Sequence, residues 1–100
     1  MVYKYDFLVI GSGIAGMSFA LKVAEKGRVG IICKTRIEEA NTFYAPGGIA
    51  SVTKPTDNFE KHIEDTLICG GGLCSREAVE KVVREAPAQI EELVNWGVNL

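Results

Sequence analysis

Hydrophobic residues in the first third of the chain follow two different spacings. Phe7 to Ile10 is an unbroken apolar run, typical of a strand buried on both faces of a parallel sheet. From residue 14 to about residue 26, apolar side chains recur at helical spacing, and Gly27 is a suitable helix stop. A second apolar run, Val29 to Cys33, follows. The pattern predicts a strand, a helix and a parallel strand, which together make a right-handed βαβ unit.

The sequence after this unit changes from loop-like to helical. Residues 34–56 show no clear periodicity and contain prolines and paired glycines, so we predict an ordered loop with a short strand at 49–52. A helix is predicted to begin at Asp57, a capping side chain with Glu60 three residues later, and to run to about Ile68.

Two further helices are predicted near the end of the chain. Ser75 is expected to cap a helix that runs to about Ala86. Pro87 has no backbone N–H, so we expect it to end that helix or to begin another, over 88–96. The chain is therefore predicted to be α/β, with its strands in the first half.

Composition and charge exclude several classes of function. The residues are 47% hydrophobic and 24% charged, as in a globular domain, and the formal net charge of −2 provides no surface for nucleic acid. No apolar run reaches the roughly 20 residues that span a bilayer. The strand begins so close to Met1 that no signal peptide is expected. An odd number of cysteines without a CxxC pair favours a reducing cytoplasm.

Three side chains that often carry chemistry are assigned none here. His62 lies mid-helix and is expected to be solvated or packed. Cys69 and Cys74 flank a triple glycine and are expected to be small buried residues, not redox or metal ligands. We therefore predict no metal site and assign no catalytic role to these three side chains; no other residue of this chain is named as catalytic.

A glycine-rich turn lies between the first strand and the first helix. Gly11, Gly13 and Gly16 have GxGxxG spacing at this junction. The first glycine permits a tight turn, the second lets a diphosphate approach the backbone, and the third lets the helix pack against the sheet. The helix N-terminus adds free N–H groups and a partial positive charge. The turn therefore predicts binding of a dinucleotide diphosphate.

The end of the second strand leaves the nucleotide ambiguous. Dinucleotide folds usually have an Asp or Glu there that accepts hydrogen bonds from the ribose, but this chain has Lys34. Lysine can only donate. Either Lys34 and Arg36 hold the 2′-phosphate of NADP, or Lys34 donates to ribose or phosphate oxygens of FAD.

The loop from Asn41 to Ala50 favours FAD over NADP. It is dense in small and hydrogen-bonding groups and follows the βαβ unit directly. An NADP-binding domain has no evident need for such a segment there. An isoalloxazine ring does, because backbone amides and hydroxyls must hold it next to N5.

Four segments together resemble the N-terminal region of the flavoprotein family that includes the flavoprotein subunits of succinate dehydrogenase and fumarate reductase. They are Gly11 to Gly16, Lys34, Thr42 to Ala50 and Glu64 to Cys74, and the likeness runs over essentially the whole chain. The resemblance implies a Rossmann-like βαβ fold. Because family members are several times longer, it also implies that residues 1–100 are the N-terminal part of an FAD-binding domain, without the remainder of that domain, the capping domain or the C-terminal helical domain.

The resemblance also implies an FAD site. In the family, the stretch matching Ser12 to Ala15 wraps the diphosphate, the lysine matching Lys34 replaces the ribose acid, and the segment matching Asn41 to Gly48 lines the flavin. The cofactor-binding residues expected here are Gly11, Ser12, Gly13, Ile14, Ala15, Gly16, Lys34, Asn41, Thr42, Phe43, Tyr44, Ala45, Pro46, Gly47 and Gly48.

Two positions in the flavin loop differ from members of this family. In the respiratory enzymes a histidine at the position of Asn41 forms a covalent bond to FAD, which an amide cannot do, so the implied FAD is non-covalent. Pro46 stands in place of a glutamine and removes one backbone donor and one side-chain amide. We expect the hydrogen bonds near flavin N5 to differ accordingly.

The activity implied by the resemblance is FAD-dependent oxidation of L-aspartate to iminoaspartate, the first step of NAD biosynthesis through quinolinate, with electrons passed to oxygen or fumarate. Residues 1–100 alone are expected to be inactive. One alternative is a flavoprotein subunit of fumarate reductase or succinate dehydrogenase, against which Asn41 and the Phe43–Tyr44 pair argue. Another is a non-catalytic NAD(P)-binding module. No partner protein is implied.

Overall fold

The computed structural model describes residues 1–45 and 47–100, which form two units, Met1–Gly47 and Gly48–Leu100. The elements of the first unit are β1 (Phe7–Ile10), α1 (Ile14–Val23), β2 (Val29–Ile32) and α2 (Asn41–Tyr44). Those of the second are α3 (Phe59–Cys69) and α4 (Arg76–Asn95).

The first unit contains the βαβ arrangement that the sequence predicts. β1 and β2 pair in parallel, and the register places Ile10 opposite Ile32. Parallel strands need a crossover, which α1 supplies. Val9 on the sheet and Ala20 on the helix are the buried apolar side chains of this core. The α1 helix ends at its Val23, before a turn at 24–26, so it is shorter than expected.

Asp6 joins the beginnings of the two strands. Its Oδ2 accepts a hydrogen bond from the Arg28 N–H at 2.8 Å, and the Arg28 carbonyl accepts from the N–H groups of Asp6 and Phe7 at 2.9 and 3.1 Å. Gly27 leaves room for this contact, since a Cβ there would lie 2.7 Å from Asp6 Oδ2. The carboxylate therefore fixes how the chain enters β2.

The segment after β2 differs from the sequence prediction in two places. Asn41–Tyr44 forms a short helix where only loop was expected. The short strand predicted at 49–52 is wrong, since these residues are irregular. A strand is stable only when its backbone groups pair with a neighbour, and the regular elements of that unit are helices.

Both helices of the second unit begin at side-chain caps. Ser75 caps α4 as predicted, its Oγ accepting from the Ala78 N–H at 3.4 Å. The cap of α3 is Asn58 and not Asp57, because Asn58 Oδ1 accepts from the Lys61 N–H at 2.8 Å. The Asp57 carboxylate instead accepts from the Asn58 N–H. Adjacent Asp and Asn are both good caps, so the sequence placed this boundary one residue early.

The two helices of the second unit pack through Ile63 and Val83, which are 2% and 5% exposed. Arg84 supports this contact from the surface. Its guanidinium donates to Glu60 at 2.6 Å and lies 5.5 Å from the centroid of the Phe59 ring. The hydrogen bond to Arg84 lowers the pKa of the Glu60 carboxyl. Because this ion pair is exposed, the apolar contact contributes most of the stabilisation.

Pro87 lies inside α4, so the prediction that it ends one helix or starts another is wrong. Proline removes one backbone hydrogen bond and costs about 3 kcal/mol relative to alanine within a helix. Val83, Ile90 and Leu93 recur on one face across the proline and are buried or half-buried. Continued packing of this face offsets the cost of the proline.

The exposure of the cysteines and of the histidine differs in part from the prediction. Cys74 is half-buried, but Cys69, the last residue of α3, is exposed, so the expectation of a buried Cys69 is wrong. His62 is half-buried within α3. In the described parts of the chain, no helix is both long and apolar enough to cross a membrane.

Replacing Asp6 with alanine is expected to make the Arg28 amide exchange with solvent about fivefold faster, because that N–H loses a charged acceptor. Amide hydrogen exchange at single-residue resolution measures this directly. Glu25→Ala, at an exposed acid in the turn after α1, is the matched control. An unchanged Arg28 exchange rate in the Asp6 variant would contradict the role assigned to this carboxylate.

Pro87→Ala is expected to raise the free energy of unfolding by about 1–2 kcal/mol, since it restores a backbone donor within α4. Part of the gain is offset by the greater freedom of the unfolded chain. Chemical denaturation measures the change, with Pro55→Ala, in an irregular exposed segment, as the control. A destabilised Pro87 variant would show that the proline fits its helix without cost.

Candidate functional site

The glycine turn connects the carboxyl end of β1 to α1, as predicted. Gly11 has a φ of 107°, which favours glycine, and its N–H donates to the Ile32 carbonyl at 2.8 Å. A Cβ on Gly16 would overlap the Gly11 carbonyl oxygen and lie 3.1 Å from Val9 Cγ1. Gly16 therefore allows α1 to begin directly against the end of the strand.

The first turn of α1 has free backbone donors. Its N-cap, Gly13, provides no side chain to accept them, and the turn contains no acidic residue. The Ile14 N–H donates to Thr42 Oγ1 at 3.0 Å. The N–H groups of Ala15 and Gly16 have no acceptor in the described parts of the chain. Together with the positive end of the helix, these two amides favour an anion.

Thr42 brings the two predicted binding segments together. Its hydroxyl accepts from the Ile14 N–H, and a Cβ on Gly13 would lie 3.6 Å from the same oxygen. Because the oxygen serves here as an acceptor, the hydroxyl proton remains available to donate. The start of α2 thus lies beside the N-terminus of α1, although many residues separate them in sequence.

The remaining residues of the predicted flavin loop are exposed, namely Asn41, Phe43, Tyr44, Ala45, Gly47 and Gly48. The Phe43 and Tyr44 rings meet edge to face, with centroids 5.2 Å apart. The Tyr44 hydroxyl donates to Glu39 Oε1 at 2.9 Å, and this bond raises the pKa of the phenol above its usual value. Pro46, also predicted to contact the flavin, lies outside the described residues.

Glu39 is a residue that the sequence reasoning missed. It lies in an irregular segment, where an acid and a tyrosine five residues apart carry no periodic signal. Only the fold of that segment brings the two side chains together.

Lys34 lies just beyond β2 and is exposed. Since β1 and β2 are parallel and Ile10 pairs with Ile32, the lysine and the glycine turn leave the sheet at the same edge. Dinucleotide folds place the ribose near this edge. Arg36 is also exposed, and neither cation forms an ion pair with another described residue.

Comparison with known proteins identifies the kind of domain. A sequence profile described as "FAD binding domain" matches residues 6–100. The chain belongs to this FAD-binding family. This finding favours FAD over NADP as the bound dinucleotide and confirms the family expected from the sequence.

Two curated relatives are L-aspartate oxidases. The chloroplastic protein of Arabidopsis thaliana is 46% identical over 95 residues, which cover 95% of this chain and 15% of the relative. The Pseudomonas aeruginosa protein is 44% identical over 96 residues, covering 96% of this chain and 18% of the relative. The chain thus spans less than a fifth of the length of these relatives.

A solved structure has the same fold. A chain of a mutant quinol fumarate reductase from E. coli superposes with a TM-score of 0.83 at 31% identity, covering 95% of this chain and 17% of that one. The Rossmann-like α/β fold expected for an FAD-binding domain is therefore confirmed.

The residues at the turn fit FAD. Its diphosphate needs donors and positive potential, and the first turn of α1 offers two free amides with no competing carboxylate. The side of Gly11 on which a Cβ would lie is open, since no described atom beyond the neighbouring residues lies within 4 Å of a Cβ built there. The Thr42 hydroxyl lies beside the same helix end, where it can donate to an oxygen of the cofactor.

Two glycine substitutions are expected to separate folding from FAD binding. Gly13→Ala keeps a permitted backbone conformation, with only an ordinary 3.6 Å contact to Thr42, so the protein should stay folded. Its methyl group should nevertheless weaken FAD binding at least tenfold, because it crowds the diphosphate. Gly16→Ala should instead destabilise the fold by about 1–3 kcal/mol, since the methyl meets backbone.

Thermal unfolding of the FAD-free protein and titration with FAD measure the two effects separately. Equal loss of stability in both variants would contradict the distinct roles of these two glycines.

Proposed function

We propose that this chain supplies the N-terminal part of the FAD site in an enzyme that oxidises L-aspartate to iminoaspartate. The hydrogen bond between the Ile14 N–H and Thr42 carries the proposal, because it joins the diphosphate turn to the predicted flavin loop. The substrate is inferred from relatives at 44–46% identity that are named L-aspartate oxidases. We expect the residues that bind and deprotonate the substrate to correspond to the region of the relatives that lies outside the match to this chain.

The residues of this chain bind and orient the cofactor. The Ala15 and Gly16 amides hold the diphosphate at the N-terminus of α1, and Lys34 donates to ribose or phosphate oxygens. Within the described residues, Asn41 to Ala45 would lie along the flavin. Bound FAD would supply the acceptor for a hydride from the substrate carbon. The chain contributes by fixing where that acceptor lies.

The proposed attachment of FAD is non-covalent. Asn41 occupies the position at which the respiratory members of the family have a histidine, and a carboxamide is not a nucleophile. Acid precipitation of the holoprotein should therefore release all of its flavin into the supernatant.

The proposal also includes the electron acceptor, the pathway and the cellular compartment of the reaction. Electrons from the reduced cofactor would pass to oxygen or fumarate, and the product would enter NAD biosynthesis through quinolinate. Three free cysteines support a reducing cytoplasm as the compartment. L-Aspartate and the acceptor are the proposed small-molecule partners.

A flavoprotein subunit of a fumarate reductase is the second candidate. It is favoured by the TM-score of 0.83 to an E. coli quinol fumarate reductase chain. Asn41 argues against it, as do the bulky side chains of Phe43 and Tyr44.

Anaerobic mixing with substrate tests the proposal on the full-length holoprotein. L-Aspartate is expected to bleach the visible flavin absorption band, while succinate at the same concentration leaves it unchanged. D-Aspartate serves as the control for non-specific reduction. Bleaching by succinate but not by L-aspartate would favour the fumarate reductase candidate and contradict the proposal.

A further inference from the structure

The short helix α2 cannot be stable through its own hydrogen bonds. It has only four residues, Asn41–Tyr44, and the nucleation cost of a first helical turn exceeds what so few bonds return. Its N-cap, Ala40, has no side chain that could accept an N–H, and all four helical residues are exposed. Contacts from outside the helix must therefore hold it in place.

Two side-chain hydrogen bonds meet this requirement at different points. Thr42 connects the helix to α1 through the Ile14 N–H. Tyr44, the last helical residue, donates to Glu39, which lies before the helix begins, at 2.9 Å. Because the second bond connects a residue before the helix to the last residue of the helix, it restrains both ends of α2.

Glu39 is itself anchored. Its N–H donates to the Arg36 carbonyl at 3.0 Å, which forms a turn directly before α2. The carboxylate is thus attached to a segment that leads back to the end of β2. On the other side, Phe43 packs edge to face against Tyr44 and restricts the orientation of the ring. Each partner of the Glu39–Tyr44 bond is therefore restricted in position by a contact other than that bond.

We propose that Glu39 is a positioning residue for FAD, which acts through Tyr44 to keep α2 in the conformation that presents Thr42 to the N-terminus of α1. This inference rests on the proposed FAD site between the glycine turn and residues 41–45. Glu39 need not touch the cofactor in this role. Loss of the Glu39–Tyr44 bond would let α2 unwind, and FAD binding would then have to include the cost of ordering it again.

The test uses the full-length protein with its FAD removed, and it measures FAD affinity by fluorescence titration. Glu39→Ala and Tyr44→Phe are each expected to raise the dissociation constant about fivefold, the worth of one hydrogen bond. Because both remove the same bond, the double variant should bind no more weakly than either single variant. Glu39→Gln should restore nearly normal affinity, since its amide oxygen still accepts from Tyr44.

Glu38→Ala is the matched control, at a neighbouring exposed acid whose side chain has no partner among the described residues. It should bind FAD like the unmodified protein. Hydrogen exchange of the FAD-free protein gives a second readout, in which the amides of residues 43–45 exchange faster in Glu39→Ala but not in Glu38→Ala.

The outcomes separate this inference from the proposed function. Unmodified protein that binds no FAD would overturn the proposed site. Unmodified protein that binds FAD, with Glu39→Ala and Tyr44→Phe within twofold of it, would leave the site intact and overturn the positioning role. Losses that simply add in the double variant would also overturn it, because they would show two independent effects.

Discussion

The close approach of α1 to the end of β1 is the constraint on which the rest of the first unit depends. Gly16 lies against the Gly11 carbonyl so closely that no Cβ fits between them. This contact directs the first turn of the helix, with its unpaired amides, toward the edge of the sheet where both strands end. The same close packing thus builds the fold and produces the positive potential that a diphosphate requires.

A second hydrogen bond extends this site beyond the turn. The Thr42 hydroxyl accepts a hydrogen bond from the Ile14 N–H, so the first amide of the helix is bonded within the protein. The amides of Ala15 and Gly16 remain available to a ligand. One interaction therefore both places the predicted flavin loop and selects which amides are free. Dependence on so few contacts also explains why Glu39, outside the site, matters for its geometry.

The sequence predicted the parts of this structure that local spacing determines. The βαβ unit and the glycine turn follow from apolar periodicity and from glycines at a strand-to-helix junction. The helix at 41–44 was missed because side-chain hydrogen bonds, and not helix propensity, hold it; the bond from Ile14 to Thr42 spans 28 residues, and the one from Tyr44 to Glu39 lies in an irregular segment. Pro87 was misread because packing of α4 outweighs the local cost of proline. The predicted strand at 49–52 failed because, among the described residues, no strand pairs with that segment. The contact between Glu39 and Tyr44 could be found only from the folded chain.

Backbone amide NMR of the isotope-labelled full-length protein, titrated with FAD, shows whether the first turn of α1 binds the diphosphate. The signals of Ala15 and Gly16 are expected to shift strongly downfield as FAD binds, because each N–H gains a phosphate acceptor. The Ile14 signal should change little, since its N–H is already bonded to Thr42. FAD binding that leaves the Ala15 and Gly16 signals in place would contradict the assignment of the diphosphate to this helix.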